Sequence, residues 1–165
     1  MILLRRGKTE DMPIVADLAE RIWPNTYGQY ISEEQINYML KLMYNQGELL
    51  TQLEKGYVFL MASEEDKDVG FACYSIVDTE SDIYKLHKIY VLPEMHGKGV
   101  GKILMNEVIN LAKRKGGKSL ELNVNKNNKS KDFYLKSGFK INESVTIDIG
   151  NGFVMDDFVM ELQFS

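Results

Sequence analysis

Apolar residues recur along this chain in two rhythms, one of period two and one of helical period. Residues Ile2–Arg6 read as a short strand. Ile14, Val15, Leu18, Ala19 and Ile22 then fall at helical spacing, with Thr9-Glu10-Asp11 as cap and Trp23-Pro24-Asn25-Thr26-Tyr27-Gly28 as a break. Ser32-Glu33-Glu34-Gln35 opens a second helix, bearing Ile36, Met39, Leu40 and Met43, in the manner of a capping box. A shorter helical stretch covers residues 47 to 54. Strand-like runs follow at 57–63, 69–77 and 83–92, the first two joined by a turn around 65–68. Leu104, Val108, Leu111 and Ala112 line one face of a further helix, which Gly116-Gly117 stops. The remainder reads as a strand at 119–124, a short helix at 129–137, and strands at 139–149 and 157–164.

The strand–helix–strand unit at 83–124 needs a right-handed crossover and a parallel pair. Its neighbours look antiparallel, so the sheet is mixed. The expectation is a single domain over residues 1–165 in the α/β (α+β) class, a mostly antiparallel sheet flanked by helices. No internal repeat, low-complexity tract or linker interrupts it.

The junction Ile89-Tyr90-Val91-Leu92-Pro93-Glu94-Met95-His96-Gly97-Lys98-Gly99-Val100-Gly101-Lys102 carries the first chemical signal. A β-favouring run meets a proline, a polar turn and three alternating glycines, and then a helix begins. Glycine permits tight turns and close approach of a ligand to backbone. A helix start offers unpaired N–H groups and a positive dipole end, so the junction suits a phosphate. Two familiar phosphate loops do not fit. The dinucleotide fingerprint needs G-x-G-x-x-G, whereas the glycines here are Gly97, Gly99 and Gly101. The nucleoside-triphosphate loop needs glycine where His96 stands and Ser or Thr where Ile103 stands.

A second signature lies downstream, Asn127-Asn128-Lys129-Ser130-Lys131-Asp132-Phe133-Tyr134-Leu135-Lys136-Ser137-Gly138-Phe139. The pair resembles the GNAT superfamily of N-acetyltransferases in order and separation, over roughly residues 83 to 140. That family's loop reads Gln/Arg-x-x-Gly-x-Gly/Ala, and its later motif reads Asn-x-x-Ala-x-x-Leu/Phe-Tyr-x-x-x-Gly-Phe. His96 replaces the usual Gln or Arg, and Ser130 the usual Ala.

The resemblance implies an acetyl-CoA-dependent N-acetyltransferase whose two parallel strands splay apart around the acyl-carrying arm of the cofactor. That arm would pair with the backbone of Ile89, Tyr90 and Val91. The pyrophosphate would lie on His96, Gly97, Lys98, Gly99, Val100, Gly101 and Lys102, with Asn127 and Ser130 nearby. Asn127 would pin the cofactor or cap the following helix. Tyr134 matches the family's tyrosine near the sulfur, and a phenol protonated at neutral pH can donate to a departing thiolate. His87 lies two residues before Ile89, an offset at which serotonin N-acetyltransferase also carries a histidine. It is the expected base because imidazole titrates near neutral pH; Lys85 and Lys88 stay charged unless buried. A looser resemblance to bacterial polyamine acetyltransferases makes a small cationic amine the expected acceptor, with Tyr27, Glu33, Asp156 and Asp157 as its candidate contacts. A protein amino group is the alternative acceptor, and a non-catalytic acyl-CoA-binding module the alternative function.

Composition narrows the classes. Hydrophobic residues make up 44% and charged residues 27%, ordinary for a globular protein. No apolar run reaches about 18 residues, so no membrane span is expected. The N-terminus lacks the order of a signal peptide. A single cysteine, Cys73, excludes an internal disulfide and, with two histidines, argues against a metal site. It lies in an apolar run, as a small core residue would. A cytoplasmic enzyme is expected. The net charge of −4 hides an asymmetry: residues 96–140 carry +8 and the rest −12. The basic block suits a phosphate-rich cofactor. Nucleic acid is not expected, since no binding motif accompanies it. The last strand offers an edge for a homodimer.

Overall fold

The computed structural model describes residues 1–165. Seven strands form one sheet: β1 (Ile2–Arg6), β2 (Val58–Glu64), β3 (Lys67–Asp78), β4 (Ile83–Val91), β5 (Ser119–Asn125), β6 (Lys140–Gly150) and β7 (Phe153–Gln163). Their order is β1-β2-β3-β4-β5-β7-β6, antiparallel throughout except for the β4–β5 pair. The mixed sheet expected from the sequence is present.

Five helices connect them: α1 (Met12–Tyr27), α2 (Glu33–Met43), α3 (Gln46–Glu54), α4 (Val100–Arg114) and α5 (Ser130–Lys136). Ser32 Oγ accepts from Gln35 N–H at 3.1 Å and Asn45 Oδ1 from Glu48 N–H at 2.9 Å, so α2 and α3 begin on side-chain caps. The start of α1 differs from expectation. Thr9–Asp11 forms a 3₁₀ turn, and the Asp11 carboxylate is used by Arg5 and the Lys8 N–H rather than by α1.

The break expected at Trp23–Gly28 is absent, and α1 runs through Pro24 to Tyr27. A proline inside a helix costs about 3 kcal/mol through a lost hydrogen bond and a clash. Tertiary packing offsets it. Trp23 is buried, its ring centroid 4.8 Å from Tyr27, 5.5 Å from Tyr44 and 5.7 Å from Tyr90. The last strand also begins four residues earlier than the alternation predicts. Asn151 and Gly152, both with positive φ, make a two-residue turn between β6 and β7. Asn-Gly is the strongest short hairpin signal, and here it outweighs the polar Asp156. The strand order leaves β6, not the last strand, at the sheet edge.

The decisive irregularity lies in β4. Cys73 pairs with Lys88 and Tyr74 with Leu86, so His87 has no residue opposite it. Such a bulge bends and twists its strand and can end its pairing. The parallel pairing of β4 with β5 indeed stops at Leu86 and Leu122, while the strands continue to Val91 and Asn125. Beyond that point the sheet is open. Phe59 and Phe71, fully buried, hold β2 and β3 in the core beneath this opening.

Candidate active site

The loop before α4 is built for an anion. Gly97 and Gly99 have φ of 82° and 81°, the left-handed region that side chains disfavour. A Cβ at either would meet nothing within 4 Å, so space is open beside the backbone. The N–H groups of Gly97, Gly99, Val100, Gly101 and Lys102 find no backbone acceptor. These donors lie at and just before the N-terminus of a 15-residue helix, where the helix dipole also favours an anion.

From that loop a cleft of about 730 Å³ runs along the open edge of β4 to Tyr134 on α5. Every cofactor contact expected from the sequence lines it except Lys98. The Lys98 N–H turns back to Met95 O at 3.3 Å, and the residue is exposed. His96 Nε2 lies 3.1 Å from Val91 O, tying the loop to the end of β4. Asn127 lines the cleft but does not cap α5, which begins after Lys129 without a side-chain cap; in the turn before it Asn128 Oδ1 accepts from Ser130 N–H at 2.8 Å. Tyr134 is buried, edge-on to Phe133 and Phe139 at 5.5 and 5.8 Å. Burial lifts its phenol above the usual value, so it stays protonated.

A second chamber of about 450 Å³ lies on the α1–α3 side of the opening. Tyr27, Leu86, His87, Lys88, Tyr90 and Asn123 line both spaces, so the gap between β4 and β5 joins them. Tyr27 and Tyr90 meet hydroxyl to hydroxyl at 2.8 Å in that gap, both phenols held well above their usual range by burial. Of the expected acceptor contacts, Tyr27 and Asp157 reach the chamber. Glu33 and Asp156 do not. Asp156 faces outward and pairs with Lys126 at 2.9 Å, because successive strand residues point to opposite faces. Asp157 is 1% exposed and its Oδ1 has no partner. Burial raises its carboxyl above the ordinary value.

His87 does not meet the expectation of an imidazole titrating near neutrality. Burial, helped by Lys88 and Lys85, pushes it down to about 3. Its ring stacks on Tyr57 at 4.4 Å, and Nε2 lies 2.7 Å from Ser75 Oγ. Ring and bond pin the bulge that parts the strands. Lys88, expected to stay charged unless buried, is buried. Its Nζ donates to Gln52 Oε1 at 3.0 Å and lies over the Tyr44 and Phe59 rings. Gln52 Nε2 in turn donates to Glu48. Sequence reasoning misses this chain of Glu48, Gln52 and Lys88, since Gln52 on α3 and Lys88 on β4 stand 36 residues apart. Asn123 and Asn125 are legible, as polar residues alternating with Leu122 and Val124 in a buried strand.

The profile of the acetyltransferase (GNAT) family matches residues 13–139, covering the first helix, the glycine loop and the Tyr134 motif. The chain belongs to the GNAT acetyltransferase family. A spermidine N(1)-acetyltransferase of Thermoplasma acidophilum is 28% identical over 161 residues, 94% of this chain and 96% of that one. The crystal structure of PaiA N-acetyltransferase from the same organism, in complex with coenzyme A, superposes with a TM-score of 0.86 over 99% of both chains at 28% identity. A [ribosomal protein bS18]-alanine N-acetyltransferase of Haemophilus influenzae is 34% identical over 94 residues, 56% of this chain and 62% of that one.

This GNAT protein is an acetyl-CoA-dependent N-acetyltransferase. Its glycine loop fits the pyrophosphate of the donor: the N–H groups are free and the space beside them is open. No helix is long and apolar enough to cross a membrane.

Proposed function

We propose that this GNAT enzyme acetylates a primary amine of a small, polyamine-like cation by direct attack on the thioester, with Tyr134 as general acid. The observation that carries the acceptor class is the buried Asp157 carboxylate, whose Oδ1 has no partner, in the chamber opposite the cofactor cleft. A buried acceptor oxygen without a donor is costly. An ammonium supplies both the donor and the opposite charge. Glu48 adds a second carboxylate, and Trp23, Tyr27, Tyr44 and Tyr90 add aromatic walls that favour cations. The similarity to a spermidine N(1)-acetyltransferase over nearly the whole chain agrees with this reading.

Acetyl-CoA supplies an activated acetyl group. The loop N–H groups hold its phosphates, and the free edge of Ile89, Tyr90 and Val91 orients its arm. Tyr134 keeps its proton and can deliver it to the departing sulfur. A covalent acyl-enzyme is disfavoured because Cys73 is buried and burial pushes its thiol up to about 12.

Thiol release from acetyl-CoA over a panel of polyamines, monoamines and peptide N-termini tests the proposal. Polyamines should give the highest kcat/KM. A preference for peptide N-termini would assign a protein acceptor. Cofactor binding with no amine-dependent thiol release would leave a binding module.

A further inference from the structure

We infer that Asp157 is the proton acceptor of the transfer, the role the sequence assigns to His87. The inference rests on the chamber being the acceptor side, and not on which amine enters it. On β7, Asp157 stands opposite Asn125 of β5. Asn125 lies beyond Leu122, the last β5 residue paired with β4. Asp157 therefore sits beside the opening through which the amine must meet the thioester. Its charge is felt at the Tyr90 phenol, which lines that opening.

The other candidates are committed elsewhere. His87 is too weak a base, and its Nε2 is engaged with Ser75. The Lys88 ammonium is bound to Gln52 between two aromatic rings. Glu48 accepts from Gln52 on α3 and is only half-buried. Of these four candidates, Asp157 alone combines full burial, a free oxygen and a place beside the gap. Burial, Asn123 on β5, Asp156 on β7, Lys85 on β4 and Lys126 after β5 set its ionisation; the other titratable groups facing the chamber are His87, Lys88 and Tyr90 on β4, Glu48 on α3, and Tyr27 and Tyr44 at its α1–α3 wall. Asn123 and Asn125 on β5 and Ile147 on β6 contribute no charge. Burial outweighs Asn123, Lys85 and Lys126, leaving a carboxylate more basic than usual, as a general base requires.

Protons and electron pairs balance across the transfer. The ammonium gives one proton to Asp157 Oδ1, and the freed lone pair forms the N–C bond at the thioester carbonyl. The C–S bond breaks, and sulfur leaves with its electron pair and takes the Tyr134 proton. The amide nitrogen sheds its second proton through solvent, restoring Tyr134, while Asp157 returns its own to solvent. The products are amide, free thiol and one proton.

Asp157→Asn tests this with any amine the enzyme accepts. Against an amine protonated at the working pH, kcat should fall by about 100- to 10,000-fold, with acetyl-CoA affinity by calorimetry unchanged. The acid limb of the kcat profile should disappear. Against an amine of low pKa, already neutral, the defect should shrink at least tenfold, since no proton need be taken before attack. A raised KM with kcat and its acid limb intact would make Asp157 an anchor only and overturn the inference. So would an equal defect with both amines. Should the variant misfold, the wild-type profiles of the two amines decide: an acid limb identical in both overturns it. Failure of polyamines alone leaves the inference standing and overturns only the acceptor class.

Discussion

Replacing Tyr134 by Phe removes one oxygen from a buried ring that makes its contacts through carbon, with Phe133 and Phe139 edge-on to it. Burial is the sole influence on its phenol, with no hydrogen-bonding group acting on it, so the substitution orphans no partner. Stability should change by less than about 1 kcal/mol, which for a chain of this size moves Tm by at most about 4 °C. Acetyl-CoA affinity should be unaltered, since the loop and β4 hold the donor. The cost falls on the proton that sulfur needs. General acid catalysis is worth about 100- to 10,000-fold, or about 2.7 to 5.4 kcal/mol, so kcat should drop by that factor where thiolate departure limits the rate. Because burial lifts the phenol above its usual value, the loss should be uniform across the neutral pH range. The assay is free-thiol release followed with a chromogenic reagent. The buried Cys73, with its thiol near 12, adds no background. An unchanged kcat at saturating amine would refute the acid role. A fall in kcat matched by weaker cofactor binding and a lower Tm would assign Tyr134 to packing instead.

Gly99→Val places a β-branched residue at φ 81°, at a strain of about 1–2 kcal/mol or more, and fills the space beside the loop. Calorimetry should show coenzyme A affinity lost by at least about 100-fold, as two charge-assisted bonds of about 1.5–3 kcal/mol each would imply. Gly101→Ala, helical and open, should bind normally; wild-type affinity in the valine variant would remove the loop assignment. His87→Gln should leave the kcat profile between pH 6 and 8 in place, since an imidazole pushed to about 3 does not titrate there. A neutral limb that vanished with it would restore histidine as base. The raised Asp157 carboxyl predicts a stability effect of definite sign. The folded state holds that proton more tightly than the unfolded state does. Wild-type stability should therefore fall as pH rises from the ordinary carboxyl value through the raised one. Asp157→Asn should be free of that fall in denaturant titrations, and an identical pH dependence in both proteins would show the carboxyl to be unperturbed.

The glycine loop and the Tyr134 motif are readable from residues alone because both are local. Gly97 and Gly99 need left-handed backbone, the helix after them needs its first turn unpaired, and Phe133, Tyr134 and Phe139 sit within one short helix and its exit. The periodicities of 2 and 3.6 place nearly every strand and helix for the same reason. What the sequence hides is non-local. Pro24 reads as a stop, but the rings of Tyr44 and Tyr90 hold Trp23 and carry the helix past it. His87 reads by its ordinary pKa, but the bulge, the Tyr57 ring and two lysines change that value. Asp156 and Asp157 are indistinguishable as neighbours in the chain. Once the sheet assigns one to each face, Asp156 meets water and Lys126, and Asp157 meets the chamber. A carboxylate's chemistry is set by what surrounds it, and only the tertiary structure decides that.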